Sequence, residues 1–228
     1  MNAHALHDAT FLAPLRLACD KKPSVEDVYP RLFDAILEQR IAPASRFSEE
    51  GLGETFGVSR SVIRRVLAKL SLQQVIILRP NQRAQVAAPD ALQTRQIMEA
   101  RRRVEMTVVQ LACAQAKPSQ IRQLRELING ERECIARKQR GAAIRLSGEF
   151  HLQLAMIAGN TPLAQFLNSL VPLTALAIAQ CPETAHTKDT WEEHAAIADA
   201  VERHDCTTAV ERMSQHLNHL EYRLVTLL

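Results

Sequence analysis

With 228 residues, 46% of them hydrophobic and 23% charged, the chain has the size of one large or two small domains and a composition that excludes an intrinsically disordered or low-complexity protein. Its 28 Lys and Arg against 25 Asp and Glu leave a formal net charge of +3, too small for a generally basic protein, so any surface for a polyanion must be local. Five cysteines, Cys19, Cys113, Cys134, Cys181 and Cys206, form no C-x-x-C pair and are odd in number, which argues against a disulfide scaffold and for reduced thiols in a cytoplasmic protein. No uninterrupted apolar run reads as a membrane span. The most apolar segment, Leu163 to Ala179, is interrupted by Gln165, Asn168, Pro172 and Thr174 and reads as a buried helix.

Residues 1–23 lack the basic start, sustained apolar core and small-residue cleavage site of a secretory signal and are expected to form a flexible arm. Between Phe56 and Val86 the chain reads FGVSRSVIRRVLAKLSLQQVIILRPNQRAQV, with no acidic residue. Val58, Val62, Val66 and Leu70 recur in steps of four and are expected to line the packed side of a helix, with Arg60, Ser61, Arg64, Arg65 and Ala68 on the free side. Ser59 is placed to cap that helix, whose basic N-terminus suits phosphate oxygens and the acceptor edge of guanine. A β-branched run and a basic turn follow, the pattern of a small β-hairpin wing bearing Arg79 and Arg83.

This block resembles the winged helix-turn-helix of the GntR family of bacterial transcriptional regulators, in which a GVSR-x-x-x-R stretch opens the recognition helix. Gly57, Val58, Ser59, Arg60 and Arg64 carry the match. Upstream, VYPRLFDAILEQRIAPASRFSEEGLGETFG is similar to the family's first two helices and the Pro-containing connection between them, with Val28, Leu32, Ile36 and Leu37 as the apolar stripe. The resemblance implies a DNA-binding domain over residues 24–89, working as a homodimer on a palindromic operator. Arg60 and Arg64 are then expected to read bases, while Arg65, Lys69, Arg79 and Arg83 grip phosphates and Ser59 and Ser61 lie at the contact. Four positions depart from the pattern: Glu50 stands at a frequent arginine, Gly53 at an alanine, Gln74 at a turn glycine and Ala84 at the wing-tip glycine.

The sequence changes character near Pro89. Residues 90–228 are poor in glycine and rich in alanine and leucine, which predicts an all-α bundle of six to seven helices. Expected helices are Ala91–Ala116, Ser119–Arg137, Ala142–Ala158, Pro162–Ala179, Thr190–Arg203 and Thr207–Leu227, with Thr161 as the cap of the fourth. The fold class is therefore mainly α: an N-terminal winged helix-turn-helix followed by this bundle.

Within the bundle, His194 shares a stripe with Ile197, Ala198 and Val201, and His216 with Ala209, Met213, Leu220 and Leu224. Each lies 11 residues from a turn at Asp205, about 17 Å along its helix, so an antiparallel hairpin brings the two level. His151 shares a face with Ile144, Leu154, Ala155 and Ala158, while His204 and His219 fall on the surface. Arg101 follows the stripe Ile97, Val104, Val108 and Leu111, and a buried arginine needs an anionic partner, either a structural carboxylate or a ligand.

The segments SGEFHLQLAMIAGN, EEHAAIADAVERHD and AVERMSQHL resemble the three histidine segments of the FadR-type effector domain. The resemblance implies that His151, His194 and His216 hold a divalent metal, zinc or nickel, with Ser147 where an aspartate ligand is usual. Glu149, about 200° around the helix from His151, cannot replace that aspartate. Arg101 and Glu105 match the R-x-x-x-E segment, so Arg101, Ser147, His151, His194 and His216 form the expected effector site for a small organic acid. The expected function is a ligand-responsive repressor, not an enzyme. A metal-free pocket, a three-histidine metal-dependent enzyme and an architectural DNA-binding protein stay open as alternatives.

Overall fold

Ser24 opens helix α1 (Val25–Leu37): its hydroxyl accepts from the Asp27 amide at 3.3 Å, and the Asp27 carboxylate accepts from the Ser24 amide at 2.8 Å. The reciprocal pair satisfies donors that a helix start would otherwise leave free. The computed structural model describes residues 23–181 and 190–227, so most of the expected arm over residues 1–23 lies outside the described residues, as does Cys19. Two units divide between Ala88 and Pro89.

In the first unit, α1 buries Val28, Leu32, Ile36 and Leu37, the expected stripe, together with Phe33. The connection after it contains a strand that the sequence did not suggest, β1 (Arg46–Phe47). Helices α2 (Glu49–Phe56) and α3 (Arg60–Leu72) follow. Then come β2 (Ile76–Ile77) and β3 (Ala84–Val86). The sheet is thus three antiparallel strands in the order β1-β3-β2 and not a hairpin alone, with Phe47 opposite Ala84 and Ile76 opposite Val86. Two residues leave β1 too short for an alternation signal, which is why it was not legible.

The turn between α2 and α3 is tight. Gly57 caps α2 in the left-handed conformation at φ 65°, and the Val58 amide donates to the Gly53 carbonyl at 2.9 Å. A Cβ on Gly53 would lie 3.0 Å from the Val58 carbonyl oxygen, so glycine in place of the usual alanine fits this close approach. The buried row of α3 is Ile63, Val66, Leu67 and Leu70. That corrects the expected row of four-residue steps: on a helix of 3.6 residues per turn such a row drifts about 40° per step, which leaves Val62 only half-buried, while Val58, also half-buried, precedes the helix. Burying four such side chains contributes on the order of 1.5–3 kcal/mol each and fixes which face of α3 stays outside. In the wing, Gln74 adopts φ 59° in the role of a turn glycine, and Asn81 at φ 57° makes the tip. Ala84 is not at the tip. It is buried inside β3.

The second unit holds six helices among the described residues: α4 (Ala91–Gln115), α5 (Pro118–Ala136), α6 (Arg140–Ile157), α7 (Thr161–Gln180), α8 (Thr190–Glu202) and α9 (Cys206–Leu227). Their ends fall within two residues of those expected. Asn160, not Thr161, caps α7, its side-chain oxygen accepting from the Leu163 amide at 3.2 Å. Helix α4 packs against α6, α7, α8 and α9, while α5 packs against α6 and α8. Along α4 the buried side is Met98, Arg101, Glu105, Val108, Val109 and Ala112. Ile97 and Val104 are half-buried and Leu111 is exposed, so of the expected stripe only Val108 is buried with Arg101.

By length and mean hydropathy (1.4), α7 alone among the described helices is long and apolar enough to cross a membrane. Gln165, Asn168, Pro172 and Thr174 interrupt it, and it lies where the sequence predicts a buried helix. Half of its window is buried by the other helices, and Leu167, Leu170, Val171, Thr174 and Ala175 face the bundle interior. Cys113, Cys134, Cys181 and Cys206 are free thiols.

Candidate functional site

In the first unit, Ser59, Arg60, Ser61, Arg64, Arg65, Lys69, Arg79 and Arg83 are all exposed. Arg60, Arg64 and Arg65 share the outer face of α3, and Arg79 and Arg83 flank the wing tip. Ser59 occupies the cap position but makes no cap hydrogen bond. Its hydroxyl lies 2.9 Å from that of Ser61 instead, which corrects the expected capping role. The Lys69 ammonium sits 4.0 Å above the Tyr29 ring, and the Arg79 guanidinium donates to the Gln85 side-chain oxygen at 3.1 Å. The acid-free stretch is not free of acids in space: Arg60 pairs with Glu50, and Arg64 pairs with Glu49 at 2.9 Å.

In the second unit, α6, α8 and α9 bring His151, His194 and His216 together. All three are buried, and each offers a ring nitrogen within 4.8 Å of the others. Behind each imidazole stands a carboxylate. His151 Nδ1 lies 2.5 Å from Glu105, His194 Nδ1 2.8 Å from Glu131, and His216 Nδ1 2.7 Å from Glu193. A carboxylate only accepts, so each Nδ1 carries the proton and each Nε2 lone pair turns inward. His151 Nε2 and His216 Nε2 are 3.3 Å apart, and His194 Nε2 is buried without a hydrogen-bond partner. Phe150 stacks on His194 at 4.3 Å and fixes its ring plane.

Burial keeps the His151 and His216 imidazoles neutral. Burial holds His151 down to about 4 against the upward pull of Glu105, with Arg101 adding to the depression. Burial takes His216 to about 3 despite its hydrogen bond to Glu193, and the two neighbouring imidazoles reinforce the shift. Burial alone would raise the Glu105 carboxyl, but Arg101 and His151 together hold it well below the usual carboxylate range. Glu193 is likewise pushed up by burial and brought to about 2 by its bonds to His216 and exposed His219.

Convergent lone pairs repel one another unless a cation lies between them. Two nitrogens on a tetrahedral zinc, each about 2.05 Å from it, are about 3.3 Å apart, which is the His151–His216 separation. Three imidazoles, each braced by an acceptor, therefore form a donor set that would suit a divalent transition metal,.

Beside the histidines, Arg101, Ser147, His151 and Thr174 form the polar wall of a cleft whose apolar wall includes Ile144, Val171 and Leu220. Its free space is about that of one water molecule,. Arg101 donates from Nε to Glu105 Oε1 at 2.6 Å, whereas one of its terminal nitrogens is buried without a partner. Ser147 lines the cleft but offers only a hydroxyl. Glu149 binds Arg145 at 2.8 Å and takes no part. His204 and His219 are exposed, bonded to the Cys113 carbonyl and to Glu193, each at 2.7 Å.

Glu131 and Glu193 were missed in the sequence. Glu131 had a signal, since it continues the buried row Ile121, Leu124 and Ile128 of α5. Glu193, half-covered and adjacent to His194, had none.

A winged helix with a basic outer face, in one chain with a helical unit that encloses an unsatisfied polar site, is the makeup of a ligand-responsive DNA-binding regulator. Comparison with known proteins agrees. Residues 24–86 match the bacterial regulatory proteins of the gntR family, and residues 96–219 match the FCD domain. The chain is 24% identical over 197 residues to the Uxu operon regulator of Haemophilus influenzae, covering 79% of this chain and 73% of that one. It is 25% identical over 200 residues to the HTH-type transcriptional repressor RspR of Escherichia coli, covering 87% and 88%. Among solved structures, E. coli McbR/YncC superposes with a TM-score of 0.72 at 18% identity, over 89% of this chain and 97% of that one. A putative GntR regulator from Rhodococcus gives 0.70 at 20% identity, over the same shares.

The chain belongs to the GntR family of bacterial regulatory proteins, with an FCD domain as its second module. It is a transcriptional regulator, and the three-histidine enzyme reading is set aside by that membership.

Proposed function

We propose that this protein is a repressor of the FadR-type subfamily that binds a palindromic operator as a homodimer in the cytoplasm and responds to a small organic acid. The observation that carries the sensing half is the set of three buried Nε2 atoms, each imidazole braced by a carboxylate, beside a buried Arg101 nitrogen with no partner. In this reading His151, His194 and His216 hold a divalent metal, zinc or nickel. Bound there, the metal would supply a Lewis-acidic anchor for a carboxylate oxygen.

Ser147 offers no anionic ligand to such a metal, so a carboxylate effector would supply one, with Arg101, Ser147 and Thr174 available to bind its other polar groups. Since the cleft holds about one water molecule,, effector entry requires α4, α6 and α7 to part. Only different affinities for the closed and opened arrangements turn that movement into a change in DNA binding.

The test is a thermal-shift screen of zinc-loaded protein against hydroxy, keto and sugar acids, followed by operator titration with each hit. A hit that stabilises the wild-type protein and changes its operator affinity supports the reading. A panel without hits, with operator binding intact, leaves the architectural reading in its place.

A further inference from the structure

The stretch from Phe56 to Val86 contains no acid, yet two carboxylates stand over its arginines in the folded unit. Ser48 caps α2, which places Glu49 and Glu50 in its first turn. The tight turn at Gly57 then lays the start of α3 beneath them. Glu50 pairs with Arg60. Glu49 takes Arg64 by two bonds, from Nε at 3.3 Å and from Nη2 at 2.9 Å.

The choice of edge matters. A guanidinium has a side fork, Nε with Nη2, and an end fork formed by its two terminal nitrogens. Glu49 occupies the side fork of Arg64, which leaves the end fork open on the outer face of α3. That fork matches the O6 and N7 acceptors of guanine. The guanidinium keeps its charge, but together with the Glu49 carboxylate the pair carries none overall. It keeps its directed donors but loses most of its attraction for phosphate, which is the sequence-independent part of DNA binding.

We propose that Glu49 is a positioning residue for base reading: it fixes Arg64 with its end fork toward the major groove and cancels the charge by which arbitrary DNA would hold it. Glu50 pairs with Arg60 through Nη2 alone and offsets its charge toward arbitrary DNA without occupying its side fork. Fixing a long side chain before binding removes an ordering cost that only the correct contact requires. Neutralising it lowers the background. Both effects raise the ratio of specific to non-specific affinity.

The inference rests on α3 as the base-reading helix. That assignment is tested separately by whether wild-type protein enriches any duplex from a randomised pool. The experiment compares wild type, Glu49→Gln and Glu49→Ala, as full chains, on the enriched duplex and on a duplex of arbitrary sequence across a salt series. Both variants are expected to bind arbitrary DNA about 2- to 5-fold tighter, the size of one exposed ion pair, with a salt slope steeper by about 0.9. Affinity for the enriched duplex should rise less or fall, so that specificity drops about 3-fold or more. Equal gains on both duplexes would make Glu49 a mere competitor and overturn the proposal. So would an unchanged salt slope, or a parallel loss on both duplexes with a lowered melting temperature, which marks a structural role.

Discussion

Replacing Glu105 with glutamine keeps the shape of the side chain, removes its charge and turns one of its two acceptor oxygens into a donor. Glu105 and Arg101 are 1% and 2% exposed, 2.6 Å apart, and the other oxygen of Glu105 lies 2.5 Å from His151 Nδ1. The variant leaves a buried guanidinium without a counter-charge, a loss of about 3–5 kcal/mol. The affected unit runs from Pro89 to Leu228, and at about 2.1 cal/mol/K per residue its unfolding entropy is roughly 0.3 kcal/mol/K. The loss therefore corresponds to a fall of about 10–17 °C in the melting temperature. Differential scanning calorimetry of the metal-free full chain reads it directly. The double variant Arg101→Met with Glu105→Leu removes both charges and should recover most of the fall. A Glu105→Gln melting temperature within about 2 °C of wild type would falsify the view that this pair is dry and mutually dependent.

Four further outcomes follow from the same structure. His194→Ala and His216→Ala should each abolish stoichiometric zinc uptake, measured by calorimetric titration, while the helix content seen by circular dichroism stays as in wild type; uptake at full stoichiometry would place the metal elsewhere. Glu131→Gln, behind His194, should weaken zinc about 10- to 100-fold without removing it, and an unchanged affinity would deny Glu131 an orienting role. The metal-free protein should lose stability as pH falls, because His151 and His216 titrate near 4 and 3 when folded but near 6.5 when unfolded,. Below pH 6.5 the unfolded chain binds more protons, so urea midpoints should fall from about pH 6.5 toward pH 3, with Glu193, depressed to about 2, adding to the loss below 4.5; a flat profile above pH 4 contradicts neutral buried imidazoles. Gly57→Ala, at φ 65°, should destabilise the winged unit by about 1–2 kcal/mol in denaturant melts, and no change would mean that the turn relaxes freely.

Much of this was legible because helical periodicity is strong. The ends of all six helices in the second unit, and the inward direction of Arg101, His151, His194 and His216, follow from spacing and from Pro and Gly punctuation. Distance in sequence hid the rest. Glu131 and Glu193 complete the histidine centre from 63 and 23 residues away, and only tertiary packing pairs them with their imidazoles. β1 is two residues long, below any alternation signal. The valine row of α3 is not a face, because a four-residue step drifts around the helix. The acid-free stretch does not show the local charge, because Glu49 and Glu50 act on it across a turn.

The centre itself is tested most directly by X-ray absorption spectroscopy of the full chain loaded with one equivalent of zinc. The account predicts three imidazole nitrogens at about 2.0–2.1 Å with oxygen filling the open position, and loss of one imidazole in His194→Ala. Sulfur ligation, fewer than three imidazoles, or a spectrum unchanged by His194→Ala would contradict it.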